Sequence, residues 1–175
     1  MCRWENRFNS QSAWRIHEVM VEQFIASFND APTELILDFD ATDDAVHGKQ
    51  EGRFFHGYYD HYCFLPLYVF CCDQLLVSYL RPSKHDAAQH TWAILSLLVK
   101  RLRKAWSKVH IIFRGDSGFC RHRMLTWCER HDVGYIVGIA QNQRLNALTA
   151  QWQQEAESDF EQSGEKVRRF YELNY

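Results

Sequence analysis

The sequence predicts an α/β fold in which a mixed sheet is flanked by helices, and two patterns lead to this prediction. The later part of the chain alternates strand, helix, strand, helix and strand, an order that requires parallel pairing through right-handed crossovers. Before it, two β-rich runs are separated only by Cys72-Asp73, which predicts an antiparallel hairpin at the other edge of the sheet. A sheet with both kinds of pairing and with helices on its faces follows.

The first predicted elements are a helix and a strand. Apolar residues recur at helical spacing from Ser12 to Phe28, and Pro32 ends this pattern. The apolar run Glu34–Phe39 predicts a strand. Residues 41–60 are polar, aromatic and rich in glycine, which predicts a long loop.

The hairpin and the later elements follow from similar patterns. The two β-rich runs cover residues 61–71 and 74–82, and Pro66 in the first run predicts a bulge or an edge position. An apolar stripe from Asp86 to Trp106, with basic residues in its last turns, predicts the clearest helix. The remaining predicted elements are a strand, a helix and a strand, at residues 109–113, 120–131 and 134–139.

The pattern changes beyond Ala140. Residues 141–166 are rich in Gln and Glu and have few aliphatic side chains, which predicts either a solvated helix or a weakly ordered segment. The run "KVRRFYELNY" that follows predicts the start of another strand.

Composition limits the size and the class of the protein. With 175 residues, of which 46% are hydrophobic, the chain can bury one core. None of the six cysteines belongs to a CxxC pair, so we expect reduced thiols packed in the core. No apolar run reaches the roughly 18 residues of a membrane span, so we expect no membrane partner and a cytoplasmic location.

Charge is distributed unevenly, although the net charge is only −2. Residues 22–44 contain seven acidic side chains and no Lys or Arg. Residues 100–130 contain nine basic side chains and two acidic ones. The local balance, rather than the net charge, therefore indicates where charged partners bind.

Two aspartates stand directly after predicted strands. Asp40 follows the first strand, and Asp116 follows the strand after the long helix. If these strands are neighbours, both carboxylates project from one edge of the sheet and repel each other unless a cation lies between them. Mg²⁺ prefers such oxygen ligands, and two ions about 3.5–4 Å apart can promote phosphoryl transfer. The alternative is that each aspartate is a turn residue or a helix N-cap.

Further candidates lie in residues 41–60 and just beyond. Asp43 and Asp44 either add negative charge to a metal site or act as solvated or capping residues. Three histidines near Asp60 invite a zinc interpretation, although their spacing matches no zinc pattern. These histidines are His47, His56 and His61.

Two segments carry a resemblance to a known family. They are "LDFDATDDAVHGKQEGRFFHGYYDHYCFLPLYVF" and "IIFRGDSGFCRHRMLTWCERHDVGYIVGIAQN". Both resemble bacterial insertion-sequence transposases of the DDE type, specifically transposase DDE domain group 1, and the resemblance covers nearly the whole chain. It implies a ribonuclease-H-like fold, here incomplete at the C-terminus. It also implies DNA cleavage and strand transfer by two divalent ions, Mg²⁺ or Mn²⁺, held by three acidic residues.

The resemblance places two of the three acids. The family's first aspartate falls at Asp40, with Asp38 as the second choice, and its second aspartate falls at Asp116. The family's third acid is a glutamate on a later helix, within a signature of Tyr, Arg, Glu and Lys that does not occur after Asp116. No glutamate from Glu155 to Glu172 is therefore assigned. We expect the chain, as an internal fragment, to be inactive in transposition.

The resemblance also implies a domain organisation and partners. A helical lead-in covers residues 1–33, a partial ribonuclease-H-like catalytic core covers 34–140, and the start of an insertion subdomain covers 141–175. The implied partner is DNA, as transposon ends and as target, bound by a homo-oligomer at the bacterial nucleoid. A non-catalytic DNA-binding or assembly remnant and a related metal-dependent nuclease are the alternatives.

Basic side chains near the two motifs are the predicted DNA contacts. The alternative is loop packing for Lys49 and Arg53 and a solvated helix face for Arg121 and Arg123. Several of them stand next to aromatic residues, a mixture that suits distorted or single-stranded DNA. Arginine also matches the geometry of phosphate oxygens. The predicted contacts are Lys49, Arg53, Arg114, Arg121 and Arg123.

Overall fold

A computed structural model describes residues 9–175, so Cys2 lies outside the described residues. The first helix, α1, is Ser10–Ala26. Its N-cap is Asn9, whose side chain accepts a hydrogen bond from the Ser12 backbone N–H at 2.9 Å. The helix predicted from Ser12 is therefore confirmed, with its ends displaced by about one half-turn.

Eight strands follow the first helix and form two sheets. The larger sheet has five strands in the order β6-β5-β1-β7-β8, and the smaller has three in the order β2-β4-β3. In chain order the strands are β1 Glu34–Ala41, β2 Asp44–Ala45, β3 Phe54–His56, β4 His61–Phe64, β5 Leu67–Cys71, β6 Gln74–Tyr79, β7 His110–Gly115 and β8 Val133–Val137.

The larger sheet is mixed, as the sequence predicts. β1 pairs with β7 and β7 pairs with β8 in parallel, while β1 with β5 and β5 with β6 are antiparallel. The helix α2, Thr91–Ala105, connects β6 to β7, and α3, His122–Arg130, connects β7 to β8. The predicted arrangement of a mixed sheet with flanking helices is confirmed.

One face of the larger sheet carries the core. In β1 the side chains of Leu35, Leu37 and Phe39 are buried, whereas the alternate residues are half-buried or exposed. The buried face packs against apolar side chains from α1, α2 and α3, such as Phe24 of α1 and Leu102 of α2. The side chains of Asp38 and Asp40, near the end of β1, therefore lie on the opposite, accessible face.

The prediction of a long loop over residues 41–60 is wrong. The segment contains β2 and β3, which pair on either side of β4. These strands have two to four residues, too few to show a periodic pattern, and they form because β4 supplies pairing partners on both edges. The β-rich run predicted over residues 61–71 is also two strands, since the chain leaves one sheet and enters the other at Leu65-Pro66.

The described chain divides into two compact units, the first ending at Gly138 and the second being Ile139–Tyr175. The second unit contains α4, Gln143–Ser163, which has no buried residue and so agrees with the predicted solvated helix. The predicted strand after residue 166 is wrong, because residues 165–175 form no strand. The Tyr171 ring instead stacks on the Trp152 ring, with centroids 4.3 Å apart.

Among residues 9–175, no helix is long and apolar enough to cross a membrane.

Candidate metal site at the ends of two parallel strands

Asp40 and Asp116 lie at the same end of two neighbouring parallel strands. The register of β1 and β7 sets Phe39 opposite Gly115, the last residue of β7, so Asp40 in β1 is level with Asp116, the residue directly after β7. The backbone of Asp116 is still extended, with φ −76° and ψ −172°. Alternation along both strands then places the two side chains on the face opposite the buried Phe39 side chain.

The two carboxylates differ in their local partners. Asp40 is exposed, and among the described residues no donor or cation contacts its carboxylate. Asp116 is the N-cap of a 3₁₀ turn, Ser117–Phe119, and its Oδ1 accepts a hydrogen bond from the Gly118 N–H at 2.8 Å. Asp116 therefore acts as a cap through one oxygen, and its other carboxylate oxygen has no hydrogen-bond partner among residues 9–175.

Close backbone packing fixes the turn that carries Asp116. The Gly138 N–H, just after β8, donates to the Gly115 carbonyl at 3.1 Å. A Cβ atom built on Gly138 would lie 2.9 Å from the Ser117 backbone nitrogen, closer than real contacts allow. On the core side, the Phe119 ring is buried. The turn that carries Asp116 is therefore packed against the Gly138 backbone and anchored in the core by the Phe119 ring.

Asp38, the second choice for the first acid, is engaged elsewhere. It lies opposite Arg114 on the neighbouring strand, and the two side chains form a bidentate ion pair with N–O distances of 3.0 and 2.6 Å. The hydrogen bonds and charge of Asp38 raise the pKa of Arg114. Of the two aspartates in β1, Asp40 is thus the one whose carboxylate is free.

A third carboxylate contributes to the negative potential near this edge. Asp43 forms a side-chain hydrogen bond with His61, whose Nε2 lies 2.7 Å from Asp43 Oδ2. Burial raises the pKa of the Tyr59 phenol, and the negative charges of Asp43, Asp40 and Asp116 raise it further. Because all three carboxylates act on one phenol, they belong to one negatively charged region.

The donor chemistry of this region fits a hard divalent cation, while the number of converging ligands is small. Asp40 and Asp116 offer the carboxylate oxygens that Mg²⁺ and Mn²⁺ prefer. Within residues 9–175, however, no three His, Cys, Asp or Glu side chains converge as a metal-binding group. The same finding removes support for zinc at His47, His56 and His61.

The basic residues predicted to contact DNA have different surroundings. Arg114 is paired with Asp38, and Arg121 forms an ion pair with Asp86 at 2.7 Å. The guanidinium of Arg53 lies 4.4 Å from the Tyr62 ring centroid, and that of Arg123 lies 5.1 Å from the Trp92 centroid. Lys49 is exposed in the segment between β2 and β3.

Two residues with structural roles are not found from the sequence. One is Gly138. A glycine at the end of a predicted strand can mark a place where another backbone segment packs closely, so the sequence does contain a signal for it. The other is Arg81, which is only 1% exposed and donates to the carbonyls of Leu65, Ala87 and Gln89. No sequence pattern distinguishes this buried arginine from the exposed ones.

Strand-end aspartates on a mixed sheet with flanking helices form a candidate divalent-metal site in this α/β domain. The chain belongs to the family transposase DDE domain group 1, whose family model matches residues 1–175. DDE transposase domains generally use divalent metal ions. No curated protein matches the chain.

Two solved structures are similar to the chain at low sequence identity. One is a piggyBac transposase in a synaptic complex with hairpin DNA, at 16% identity and a TM-score of 0.43 over 81% of this chain and 30% of that one. The other is the Drosophila P element transposase in a strand transfer complex, at 12% identity and a TM-score of 0.37 over 74% of this chain and 34% of that one. The chain thus spans about a third of the length of these solved chains.

Proposed function

We propose that the chain forms the catalytic core of a DNA transposase and that Asp40 and Asp116 hold Mg²⁺ or Mn²⁺ during DNA strand cleavage and strand transfer. The observation that carries this proposal is the register of β1 and β7, which sets the two aspartates level on one face of the sheet. Membership of the DDE transposase family supports it. Asp38 is not proposed as a ligand, because Arg114 occupies both of its oxygens.

The chain's own residues would contribute position and charge. The Asp116 carboxylate is fixed by the Gly118 N–H, so its second oxygen has a defined direction, while the Asp40 carboxylate is free to approach it. Bound divalent ions would supply charge stabilisation at the reacting phosphate and activation of the attacking oxygen. The complete enzyme is proposed to use two ions.

The partner proposed for this site is DNA, both as transposon ends and as target, bound by a homo-oligomer. Phosphate contacts are proposed for Lys49, Arg53 and Arg123, whose charges are not neutralised by a carboxylate among the described residues. Arg114 and Arg121 would first have to leave Asp38 and Asp86. The proposed core is residues 34–140, and residues 141–175 are proposed to belong to an insertion subdomain.

A second candidate function is DNA binding or assembly without catalysis. It is favoured by one observation, namely that no third acidic side chain converges on Asp40 and Asp116 within residues 9–175. No glutamate of the chain is assigned as the third ligand. The inactivity of the isolated chain in transposition stays a prediction.

A plasmid-nicking assay separates the two candidates. The purified chain is incubated with supercoiled plasmid and Mn²⁺, beside Asp40→Ala, Asp116→Ala and the control Asp73→Ala in the exposed turn between β5 and β6. We expect slow nicking by the wild type and by Asp73→Ala, and none by the other two variants. No Mn²⁺-dependent nicking by the wild type would favour the non-catalytic candidate. Equal nicking by all four proteins would contradict the proposed site.

A further inference from the structure

A groove on the first unit is lined by basic and aromatic side chains, and no carboxylate is among its lining residues. Its volume is about 380 Å³. It lies between the first turn of α2 and the exposed side of α3. The residues that matter here are Trp92 from α2 and His122, Arg123, Trp127, Arg130 and His131 from α3 and its C-terminus.

The aromatic rings of this groove form flat, partly exposed surfaces. The Trp92 side chain is 42% exposed, and the Arg123 guanidinium lies 5.1 Å from its ring centroid. The Trp127 and His131 rings are stacked, with centroids 4.2 Å apart and an interplanar angle of 15°. Such surfaces suit the stacking of a planar base, and the neighbouring guanidinium can contact a phosphate.

The wall formed by α3 is held in place from outside the groove. The Arg103 guanidinium of α2 donates to the carbonyls of His131 and Asp132, both at 2.6 Å. These bonds satisfy carbonyl groups at the end of α3 and tie that end to α2. The rings of Trp127 and His131 are therefore presented by a fixed element rather than by a mobile loop.

We propose that this groove binds single-stranded DNA, with an unpaired base stacked on its tryptophan rings and with Arg123 and Arg130 contacting the adjacent phosphates. A volume near the lower end of the roughly 300–1,000 Å³ range of ligand pockets suits one nucleotide. Positive charge without a lining carboxylate matches a polyanion. One lining residue, His122, begins α3 shortly after the turn that carries Asp116, so the groove and the proposed metal site are close in the sequence.

This proposal rests on the proposed function, since DNA is the assumed substrate, but its test does not depend on catalysis. Binding of a short fluorescein-labelled oligothymidine is measured by anisotropy in EDTA, where no nicking occurs. Trp92→Ala should weaken binding roughly five- to hundred-fold through the loss of stacking, while Trp92→Phe keeps most of the affinity. Arg123→Gln should lower the slope of log affinity against log salt by about 0.7.

Matched controls come from α1, which carries a similarly exposed tryptophan and arginine. Trp14 is 46% exposed, close to the value for Trp92. Trp14→Ala and Arg15→Gln should bind the oligonucleotide as the wild type does. Thermal unfolding of each variant checks that the fold is kept. The groove would be excluded if Trp92→Ala and Trp14→Ala bound equally well, or if the wild type did not bind the oligonucleotide. Either result would leave the nicking assay unaffected, so a wrong groove is distinguishable from a wrong catalytic site.

Discussion

At the scale of single residues, the position of Asp116 depends on neighbours that carry no charge. Its carboxylate is oriented by the Gly118 N–H, and the backbone of Gly138 packs directly against Ser117. Sequence reasoning finds Asp116 because aspartate after a strand is a recognisable pattern. It does not find Gly138, because the need for a missing side chain arises only when the ends of β7 and β8 are placed side by side.

Gly138→Ala should therefore displace the turn that carries Asp116. The added Cβ would lie 2.9 Å from a backbone nitrogen that cannot move aside, so we expect a destabilisation of roughly 1–3 kcal/mol. Gly134→Ala in β8 is the matched control, because its Cβ would meet only side-chain atoms, of His110 and Ile112, at 3.3 Å. Urea unfolding measures both variants, and equal stability of the two would contradict this packing argument.

The buried cysteines give a second prediction at this scale. Burial raises the pKa of Cys71 to about 12 and that of Cys128 to about 11, from an ordinary value of 9.0. In the folded protein both thiols should resist iodoacetamide at pH 8, whereas the exposed Cys72 should react. Mass spectrometry of the alkylated peptides shows which thiols react.

The raised pKa values of Cys71 and Cys128 also make the stability of the protein depend on pH. Above pH 9 the unfolded chain loses protons from these two thiols while the folded chain keeps them, so the free energy of unfolding should fall between about pH 9 and 11. In the double variant Cys71→Ala/Cys128→Ala, the free energy of unfolding should change less over this pH range. An unchanged slope would show that other groups cause the pH dependence.

At the scale of elements, sequence patterns succeed where a segment is long or periodic. The helix α2 shows its apolar stripe, and the β5–β6 hairpin shows its two-residue connection. The strands β2 and β3 escape prediction because they are too short to be periodic and depend on pairing with β4. The strand predicted after residue 166 fails for the opposite reason, since a β-rich sequence forms no strand without a partner edge.

The segment between β6 and α2 is organised by one buried arginine. Arg81 donates from Nε to the Leu65 carbonyl at 2.9 Å and from Nη1 to the Ala87 and Gln89 carbonyls at 3.0 and 2.8 Å. Burial lowers the pKa of this guanidinium, and no carboxylate forms an ion pair with it among residues 9–175. Its bonds to the Ala87 and Gln89 carbonyls therefore hold the segment that contains Asp86, the partner of Arg121.

Arg81→Leu should be strongly destabilising, by about 3 kcal/mol or more, because three buried carbonyl groups lose a charged donor. Arg101→Leu is the control, since Arg101 pairs with Glu22 at the surface, where an ion pair contributes only about 0–1 kcal/mol. Differential scanning calorimetry compares the two melting temperatures. A similar decrease for both variants would mean that the Arg81 bonds contribute little.

At the scale of the whole molecule, the fold brings together residues that are far apart in the sequence. Parallel pairing of β1 with β7 sets Asp40 level with Asp116, which sequence reasoning anticipates from two strand-end aspartates. It could not anticipate that Arg114 neutralises Asp38, or that Asp43 and Tyr59 lie in the same negative region, because these contacts depend on three-dimensional placement. This region repels DNA phosphates unless cations compensate its charge.

Calorimetric titration with Mn²⁺ is the most direct test of the claim that Asp40 and Asp116 form a divalent-cation site. The full chain is compared with Asp40→Asn, Asp116→Asn and Asp38→Asn, substitutions that remove charge with little change in shape. This claim predicts binding by the wild type and by Asp38→Asn, and binding at least tenfold weaker, a difference of about 1.4 kcal/mol, for each of the other two variants. Equal Mn²⁺ affinity in all four proteins would contradict it.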